Sequence, residues 1–408
     1  MDKLKDHRQI GQELDLFSFH DIAPGAVFWH HKGWIMYRAL QEFIREKLAL
    51  EGYQEISTPV MVKSDLFKKS GHWDFYSEHM FNLNVENEPY SLKPMNCPEA
   101  SLIYSTKTRS YQDLPLRLAE FGVLHRNELS GVLGGLFRVR QFVIDDAHHF
   151  VRSDQIQSEI HKLLLLVVDF YKSLNFKPEF YFATKPDKAM GDPNLWKQAE
   201  KDLKEALKDS NVKYGIKEKD GAFYGPKIDI HIKDSQNRDW QLATIQLDFQ
   251  IPERMKLKYI DRDGKPKRPV IIHRAILGSL ERFIGILIEH YQGAFPLWFS
   301  PVQVVIIPIA DRHIKYASSI VDTIELQRIR VELDSRQETV SSKIRNATLQ
   351  KVPYMGIIGD KEVKSSKLKV KRYDDSLISV RTREGKDLGQ MKFSAFLQKL
   401  KEEIDKKI

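Results

Sequence analysis

Residues 117–150 read RLAEFGVLHRNELSGVLGGLFRVRQFVIDDAHHF, in which two stretches of β character flank a glycine-rich loop at residues 131–135. Four charged residues surround this loop, namely Arg126, Glu128, Arg138 and Arg140. Guanidinium groups bind phosphate and carboxylate oxygens in a bidentate manner, which would suit a binding site. An ordinary surface hairpin with solvated arginines explains the same composition equally well. The segment therefore predicts a pair of strands and leaves its function open at this point.

The second β stretch places four residues on one face of a strand. Side chains alternate between the two faces, so Phe142, Ile144, Asp146 and His148 point in the same direction. An aromatic ring, a carboxylate and an imidazole together, near several arginines, are unusual in a core and indicate a candidate site. Taken alone, His148 is more often a hydrogen-bonded structural residue than a catalytic one.

The composition of the chain excludes several classes of protein. Its 408 residues suggest about two or three domains, and 42% hydrophobic with 29% charged residues is typical of a folded globular chain. A formal net charge of +8 is compatible with a nucleic-acid or polyphosphate partner. The single cysteine, Cys97, excludes an internal disulfide, no apolar run approaches the roughly 18 residues of a membrane span, and the N-terminus has no signal-peptide core. We therefore expect neither a secreted, nor a transmembrane, nor a fibrous protein.

A change of pattern after Gly293, Pro296 and Pro301 predicts a domain boundary, which we place between residues 1–298 and 299–408. Before it, periodicity predicts helices at residues 34–50, 155–174, 195–208 and 276–291. Stretches of β character in the same part occur at residues 53–58, 80–151, 228–232 and 240–249. After the boundary, a βαβαβ pattern is predicted at residues 302–309, 314–326, 330–333, 340–349 and 354–358. The second domain is completed by a hairpin at residues 368–372 and 377–383 and by a helix at residues 393–406.

Cys97, His148 and His273 are candidate ligands of a single metal ion. Three cysteine and histidine ligands that leave one position open form the common arrangement of catalytic zinc. These residues lie far apart in the sequence, however, without a local spacing signature, and a lone cysteine is most often a small buried apolar residue. The chain contains neither a Walker A motif nor a dinucleotide fingerprint, so an ATP site would have to be of another kind.

Taken together, the motifs of this chain resemble those of the threonyl-tRNA synthetase family of class II aminoacyl-tRNA synthetases, over residues 7–404. The most specific motifs are SGHWD at residues 70–74, KPMNCP at 93–98, DDAH at 145–148, GAFYGPK at 221–227, and the segments 117–126 and 273–283. Residues 34–59, 117–142 and 278–282 are similar to class II motifs 1, 2 and 3, of which motif 1 builds the dimer interface in the family. The resemblance implies an α+β fold, in which an antiparallel-sheet catalytic domain is followed by a mixed-sheet α/β anticodon-binding domain.

The resemblance assigns roles to individual residues. The zinc ligands would be Cys97, His148 and His273. The ATP-binding residues would be Arg126, Glu128, Arg138, Phe142, Gln241, Thr244 and Arg282. The residues that bind the amino acid would be Arg126, Asp146, Tyr224 and Gln246. His72 matches a histidine near the terminal ribose of tRNA and would be catalytic together with Arg126 and Arg282, whereas Glu362 matches a residue that contacts the anticodon.

The activity implied by the resemblance is that of an AMP-forming threonine–tRNA ligase, which activates L-threonine with ATP and Mg²⁺ and transfers it to the 3′ end of tRNA(Thr). The amino-acid carboxylate attacks the α-phosphate, so the protein supplies orientation and positive charge rather than a covalent nucleophile. One zinc ion per chain would bind the amino and hydroxyl groups of threonine and reject valine, and such a polar requirement discriminates by about 10⁴-fold. The resemblance further implies a cytoplasmic homodimer with no membrane partner.

The chain departs from the family pattern at three positions and at its beginning. Val143 and Ile144 stand where Thr-Gln is common, and Ala243 stands where a glycine is usual, which changes the pocket. Many family members carry a ubiquitin-like and an editing domain before the catalytic domain, with which this chain begins. A competing hypothesis is a non-catalytic, RNA-binding or regulatory paralogue of the same fold. In that case Val143 and Ile144 would be early changes in a site that has lost its activity.

Two more hypotheses are a class II synthetase for a different small amino acid, such as proline or serine, and an amino-acid-activating ligase that does not use tRNA. The set of Cys97, His148 and His273 argues against the first of these. The C-terminal α/β domain and the basic net charge argue against the second. The retained arginines, Asp146 and the three metal ligands favour the enzyme over the paralogue.

Overall fold

A computed structural model describes residues 4–366 and 376–407 of the chain. Its helices, in chain order, are α1 (His7–Glu13), α2 (His31–Leu50), α3 (Asp65–Ser70), α4 (His72–Tyr76), α5 (Cys97–Ser105), α6 (Ile156–Ser173), α7 (Pro193–Asp209), α8 (Gln250–Arg254), α9 (Leu280–Tyr291), α10 (Ile314–Glu325), α11 (Val340–Leu349), α12 (Asp360–Ser366) and α13 (Phe393–Asp405). Its strands are β1 (Phe17–Ser18), β2 (Phe28–Trp29), β3 (Gln54–Glu55), β4 (Met61–Lys63), β5 (Asn82–Val85), β6 (Glu88–Leu92), β7 (Arg109–Ser110), β8 (Leu116–His125), β9 (Gln141–Val151), β10 (Glu179–Ala183), β11 (Tyr214–Lys217), β12 (Lys227–Lys233), β13 (Asp239–Asp248), β14 (Tyr259–Ile260), β15 (Pro266–Lys267), β16 (Val270–Ser279), β17 (Val304–Pro308), β18 (Val331–Leu333), β19 (Tyr354–Ile358), β20 (Leu377–Thr382) and β21 (Asp387–Lys392). No helix in the two described ranges is long and apolar enough to cross a membrane. The predicted strand at residues 368–372 lies outside the described residues.

Most elements lie where the sequence predicts them, with two differences near the candidate site. The predicted helix at residues 276–291 is wrong in its first turn, because β16 continues to Ser279 before α9 begins. Gly278 has a φ of 71°, which interrupts any helix, and the pairing of β16 with β9 is irregular between Ala275 and Ser279. The apolar residues in this segment fit a buried strand as well as a buried helix, so periodicity does not separate the two. The β character predicted over residues 80–151 is likewise interrupted, by α5.

Phe19–Val27 and Arg45–His290 form one compact unit, which is built on an eight-stranded sheet. The strand order is β11-β10-β12-β13-β16-β9-β8-β3, and neighbouring strands from β10 to β8 run antiparallel. The hairpin of β8 and β9 places Leu118 opposite His148. This unit therefore has the antiparallel α+β architecture that the family resemblance implies.

Helix α6 covers one face of this sheet. Its apolar residues repeat at helical spacing and are buried: Ile156, Ile160, Leu163, Leu164, Val167 and Phe170. Burial of a side chain of this size contributes roughly 1.5–3 kcal/mol. The ring of His149 on β9 faces α6, since its Nδ1 lies 3.1 Å from Oε2 of Glu159. Because side chains alternate along a strand, Asp146 and His148 face away from α6, and the candidate site lies on the opposite face of the sheet.

A buried network joins α6 to the hairpin of β8 and β9. Arg117 donates to the carboxylate of Glu159 from Nε at 2.7 Å and from Nη2 at 2.5 Å, and His149 provides a third contact. Burial alone would raise the pKa of Glu159, but the hydrogen bonds from His149 and Arg117 outweigh it and lower this pKa to about 2. Glu159 is therefore ionised in the folded protein above that pH, and its ion pair stabilises the fold at neutral pH.

We expect the Glu159→Gln variant to have a free energy of unfolding about 2 kcal/mol smaller than that of the wild type at pH 7. A carboxyl group whose pKa is lowered by folding stabilises the protein above its unfolded-state pKa of about 4.5, and this stabilisation is lost as the pH falls through the folded-state value. The difference between the two proteins should therefore shrink between about pH 5 and about pH 2.5. Urea unfolding at several pH values measures this difference in the free energy of unfolding. Asp169→Asn is the control, because Asp169 is an exposed carboxylate of the same helix. A difference that stays constant over this pH range would contradict the assignment.

The second unit contains the chain from Tyr291 onward, together with Phe28–Ile44 and the N-terminal residues up to Ser18. Its main sheet has the order β18-β17-β19-β20-β21, in which β18, β17 and β19 run parallel and the last two strands antiparallel. The predicted βαβαβ pattern is confirmed, since β17, α10, β18, α11 and β19 follow one another along the chain. Strand β17 is buried on both faces, because its alternate residues belong to two different apolar clusters.

Candidate active site and metal centre

Two neighbouring strands and a helix bring together three side chains of types that can bind a metal ion. Cys97 begins α5, His148 lies on β9, and His273 lies opposite His148 on β16. One ligand atom from each residue lies within 4.8 Å of the other two, and all three side chains are buried. The register of β9 with β16 places the two imidazole rings with their centroids 4.9 Å apart. The structure thus brings together the three residues that the sequence indicates as zinc ligands.

The residues of this cluster fit a zinc ion. Nε2 of His148 is buried and has no hydrogen-bond partner among the described residues, which leaves a donor atom free for a metal. Nε2 of His273 lies 3.0 Å from Oδ2 of Asp248, and such histidine–carboxylate pairs are common beside zinc. Burial raises the pKa of the Cys97 thiol, and the nearby charge of Asp146 raises it further, so a thiolate at this position requires a cation. Two imidazoles and one thiolate form a donor set that zinc prefers.

His72 lies against this cluster rather than at the surface. It is fully buried, its Nδ1 lies 2.9 Å from Oγ of Ser70, and its Nε2 lies 3.1 Å from Sγ of Cys97. Burial lowers the pKa of His72 to about 3, so the ring is neutral at physiological pH. Both ring nitrogens are engaged, and the ribose contact implied by the resemblance would require one of these hydrogen bonds to break.

Three further candidates adjoin the cluster of Cys97, His148 and His273. Asp146 has a side chain that is 15% exposed, its Oδ2 lies 3.9 Å from Nε2 of His148, and burial raises its pKa to about 6. The ring of Tyr224 packs against His273 with the centroids 4.7 Å apart, and its hydroxyl donates a hydrogen bond to Oε1 of Gln246. Gln246 in turn lies opposite His273 in the pairing of β13 with β16. A carboxylate acceptor and a hydrogen-bonded phenol–amide pair therefore border the three candidate ligands.

A cavity of about 270 Å³ lies in the same unit. All seven residues predicted to bind ATP line it: Arg126, Glu128, Arg138, Phe142, Gln241, Thr244 and Arg282. Gly278 and Ser279, at the end of β16, form another part of its wall. Nε2 of Gln246 donates to Oγ1 of Thr244 at 3.2 Å. This contact links the residues that line the cavity to those around the cluster of Cys97, His148 and His273.

The cavity carries positive charge. The guanidinium of Arg126 lies 5.1 Å from the centre of the Phe142 ring and 5.6 Å from that of Tyr76, which holds the group without neutralising it. Burial lowers the pKa of Arg282, and the charges of Arg126 and Arg138 lower it further. The positive charges of these arginines repel one another, and an anion bound between them relieves the repulsion. The cavity is therefore suited to a polyphosphate.

The charged residues around the glycine-rich loop differ in their contacts. Nε of Arg138 lies 2.9 Å from Oε2 of Glu128, so these two groups partly neutralise each other. Arg140 donates to the carbonyl oxygen of Glu128 at 2.9 Å and to the hydroxyl of Ser130 at 3.1 Å. Arg140 therefore holds the segment just before the loop and is not among the residues that line the cavity, although composition groups it with the other arginines.

The three residues that depart from the family pattern have different surroundings. Ile144 lines the cavity, as strand alternation predicts, and offers it an apolar surface. The backbone N–H of Val143 donates to the carboxylate of Glu281 at 3.1 Å, a contact that does not depend on the side chain of residue 143. Ala243 is fully buried and is not among the residues that line the cavity.

The sequence assigns no role to two residues that contact the site. Asp248 contacts His273 through Oδ2, while its Oδ1 accepts hydrogen bonds from backbone N–H groups in the first turn of α8. An aspartate just before a helix signals a cap, but nothing in the pattern indicates the contact with His273. Asn96 donates from Nδ2 to Oδ2 of Asp146 at 3.1 Å, across a separation of 50 residues that no local spacing reveals.

Glu362, the predicted anticodon contact, belongs to the second unit and is buried. Its carboxylate accepts hydrogen bonds from the N–H of Gly359 at 2.9 Å, from the hydroxyl of Ser379 at 2.9 Å and from the amide of Gln390 at 2.7 Å. Burial alone would raise the pKa of Glu362, but these hydrogen bonds outweigh it and lower the pKa. The carboxylate thus joins α12 to β20 and β21, a contact that the sequence does not indicate.

Comparison with known proteins identifies two family domains in the chain. Residues 81–291 match the family model described as tRNA synthetase class II core domain (G, H, P, S and T). Residues 303–403 match the model described as anticodon binding domain. The first match contains Cys97, His148 and His273, and the second contains Glu362.

Curated relatives are similar over nearly the whole chain. The threonine–tRNA ligase of Carboxydothermus hydrogenoformans is 49% identical over 405 residues, which are 99% of this chain and 62% of that protein. The threonine–tRNA ligase of Clostridium kluyveri is 50% identical over 406 residues, which are 100% of this chain and again 62% of that protein. The chain therefore spans 62% of the length of these curated relatives.

A solved structure has the same fold over nearly its whole length. It is a crystal structure described as the RNA binding domain of threonyl-tRNA synthetase from Cryptosporidium parvum Iowa II. The alignment has a TM-score of 0.93 and 39% sequence identity, and it covers 98% of each chain. The arrangement of elements described above is thus shared with a protein of known structure.

Proposed function

The chain belongs to the threonyl-tRNA synthetase family of class II tRNA synthetases, and on this ground we propose that it is an ATP-dependent, AMP-forming threonine–tRNA ligase. The observation that carries the proposal is the convergence of Cys97, His148 and His273 in the same unit as a positively charged cavity. Neither feature alone specifies a reaction. Together they suit ATP and an amino acid with a polar side chain.

In the first step, L-threonine reacts with ATP, accompanied by Mg²⁺, to form threonyl-adenylate and pyrophosphate. An oxygen of the threonine carboxylate attacks the α-phosphorus, and the bond from this phosphorus to the departing pyrophosphate breaks. Arg126 contacts the carboxylate and the α-phosphate, Arg138 the γ-phosphate, and Arg282 one face of the adenine. Phe142 stacks on the other face and Glu128 contacts the edge of the base. The rate gain comes from orientation and from charge that stabilises the transition state.

Cys97, His148 and His273 would hold one zinc ion per chain. When bound, zinc supplies Lewis-acid coordination positions for the amino and hydroxyl groups of threonine. Asp146 accepts a hydrogen bond from the same hydroxyl. Valine has nearly the same shape but no hydroxyl, and a polar requirement of this type rejects a substrate by about 10⁴-fold. Two further residues border the amino-acid pocket, Tyr224 and Gln246.

In the second step, a ribose hydroxyl at the 3′ end of tRNA(Thr) attacks the carbonyl carbon of threonyl-adenylate, an ester forms, and AMP and a proton are released. In this proposal residues 1–298 form the catalytic domain and residues 299–408 the anticodon-binding domain, with His72 near the terminal ribose and Glu362 at the anticodon. The match to an anticodon binding domain and the formal net charge of +8 support an RNA partner. The proposal includes a cytoplasmic homodimer, as the resemblance implies.

We expect the purified chain to catalyse threonine-dependent exchange of pyrophosphate into ATP, at least about 10³-fold faster than exchange with valine. The exchange requires only the first step, so it is measured with labelled pyrophosphate and without tRNA. Reactions with serine, proline, valine and no amino acid serve as controls. If the chain contains zinc but none of the amino acids supports exchange, the result would favour the non-catalytic paralogue. Faster exchange with proline or serine than with threonine would contradict the proposed specificity.

A further inference from the structure

We infer that Asn96 is a positioning residue that holds the carboxylate of Asp146, and that residue 122 is glycine because it leaves room for the Asn96 amide. The inference rests on the proposed function, in which Asp146 accepts a hydrogen bond from the threonine hydroxyl. It assigns a role in substrate selection to two residues that contact neither zinc nor ATP in the proposal.

Asn96 does not make the interaction that its position favours. It immediately precedes α5 and occupies the N-cap position, where an asparagine side chain usually accepts a hydrogen bond from the helix backbone. In this protein the side chain makes no cap hydrogen bond. Its Nδ2 donates instead to Oδ2 of Asp146 at 3.1 Å. The amide thus lacks a cap hydrogen bond that would contribute about 1 kcal/mol, and it contacts Asp146 instead of the backbone of α5.

The Asn96 amide is enclosed, and one end of it is bonded. Asn96 has no exposed surface, and its Oδ1 is buried without a hydrogen-bond partner among the described residues. The donor end of the amide faces Asp146, whose carboxyl oxygen accepts the hydrogen bond. Within residues 4–366 and 376–407, Asn96 provides the one hydrogen bond that holds this carboxylate.

Gly122, on β8, provides the space for the amide. A methyl group at this position would lie 2.2 Å from Oδ1, 2.4 Å from Nδ2 and 2.5 Å from Cγ of Asn96, far inside van der Waals contact. Gly122 pairs regularly with Ile144 of β9 and is not among the glycines with positive φ, so alanine could adopt its backbone conformation. The Asn96 amide, and not the backbone, therefore explains the missing side chain.

A carboxylate held at one oxygen presents the other in a defined place. Without the Asn96 donor, Asp146 can occupy other rotamers, and the fraction of molecules with a correctly placed acceptor falls. The loss should affect the binding of threonine and not that of ATP, because neither Asn96 nor Asp146 lines the cavity of the ATP candidates.

Pyrophosphate exchange by the whole 408-residue chain tests the inference, with variants Asn96→Ala, Asn96→Asp and Gly122→Ala and a matched control. We expect the KM for threonine to rise about tenfold in Asn96→Ala. It should rise further in Asn96→Asp, which keeps the shape and replaces the donor by a second acceptor. The KM for ATP and the zinc content by elemental analysis should stay near the wild-type values. Asn82→Ala is the control, because Asn82 accepts one hydrogen bond from Ser91 and is not part of the candidate site.

A double variant separates positioning from general packing. In Gly122→Ala the new methyl displaces the Asn96 amide, so the KM for threonine should rise as it does in Asn96→Ala. In the Asn96→Ala background the methyl meets no amide, and adding Gly122→Ala should change this KM by less than about twofold. Additive effects, an equal rise in the KM for ATP, or an unchanged KM for threonine in the single variants would overturn the inference while the wild type still exchanges. A wild-type chain without exchange would instead overturn the proposed function, and the inference with it.

Discussion

Replacement of Arg126 by alanine is expected to slow threonine-dependent pyrophosphate exchange by roughly 10³-fold, in a protein that still folds. The guanidinium lies over the rings of Phe142 and Tyr76, and its Nε is 3.4 Å from the carbonyl oxygen of Pro94. These contacts orient the group without supplying a counter-charge. Its charge is therefore available for the threonine carboxylate and the α-phosphate, whose negative charge is redistributed in the transition state.

Two further variants show whether this loss comes from the charge of Arg126, from the shape of its guanidinium group, or from the removal of any arginine. Arg126→Lys keeps the charge and loses the planar fork of donors, so we expect a loss of about 10²-fold. Arg262→Ala removes an exposed arginine that lies over the ring of Tyr111, outside the candidate site, and should exchange at the wild-type rate. The rate of exchange at saturating substrate is the measurement. A loss of less than about tenfold in Arg126→Ala would show that this residue does not contact the reacting groups.

Removal of the Cys97 sulfur is expected to reduce exchange activity because the chain loses its bound zinc. The wild-type chain should contain close to one zinc ion, and Cys97→Ala less than about 0.2 per chain, because two neutral imidazoles bind zinc far more weakly than a site with a thiolate. Threonine then loses the coordination positions for its amino and hydroxyl groups. Exchange should therefore fall by more than about 10²-fold, with little change in the KM for ATP.

Elemental analysis measures the zinc content independently of activity. His161→Ala is the matched control, because His161 is an exposed histidine of α6 whose Nδ1 lies 2.9 Å from Oγ of Ser210. This variant should keep the wild-type zinc content. Unchanged zinc in Cys97→Ala would contradict the proposed ligand set, and freshly purified wild type without zinc would remove the proposed basis of substrate selection.

The period of apolar residues along the chain correctly predicted helices and strands that bury one face. The apolar stripe of α6 repeats at helical spacing and is buried as expected. The alternation along β9 correctly placed Ile144 at the wall of the cavity and Asp146 on the face of His148. The boundary between β16 and α9 failed because apolar residues suit both structures, and only the positive φ of Gly278 with the irregular pairing shows where the strand ends.

The family resemblance also predicted seven ATP-binding candidates, and all of them line one cavity. The motifs did not predict how His72 and Glu362 are bonded. His72 has both ring nitrogens engaged, one of them with Cys97. The carboxylate of Glu362 accepts hydrogen bonds from Gly359, just before α12, and from side chains of β20 and β21. These contacts depend on neighbouring elements and not on the residues beside them in the chain.

The sequence by itself determines the periods of the strands and helices and the order of these elements. Each depends on backbone geometry over a few neighbouring residues. The family resemblance predicted that Cys97, His148 and His273 meet, although their spacing in the sequence did not, whereas only the tertiary structure decided that Asn96 meets Asp146 beside Gly122. These contacts join residues that are far apart along the chain. Their distances are set by the register of β9 with β16 and with β8 and by the placement of α5 on that sheet, and no local spacing in the sequence encodes either.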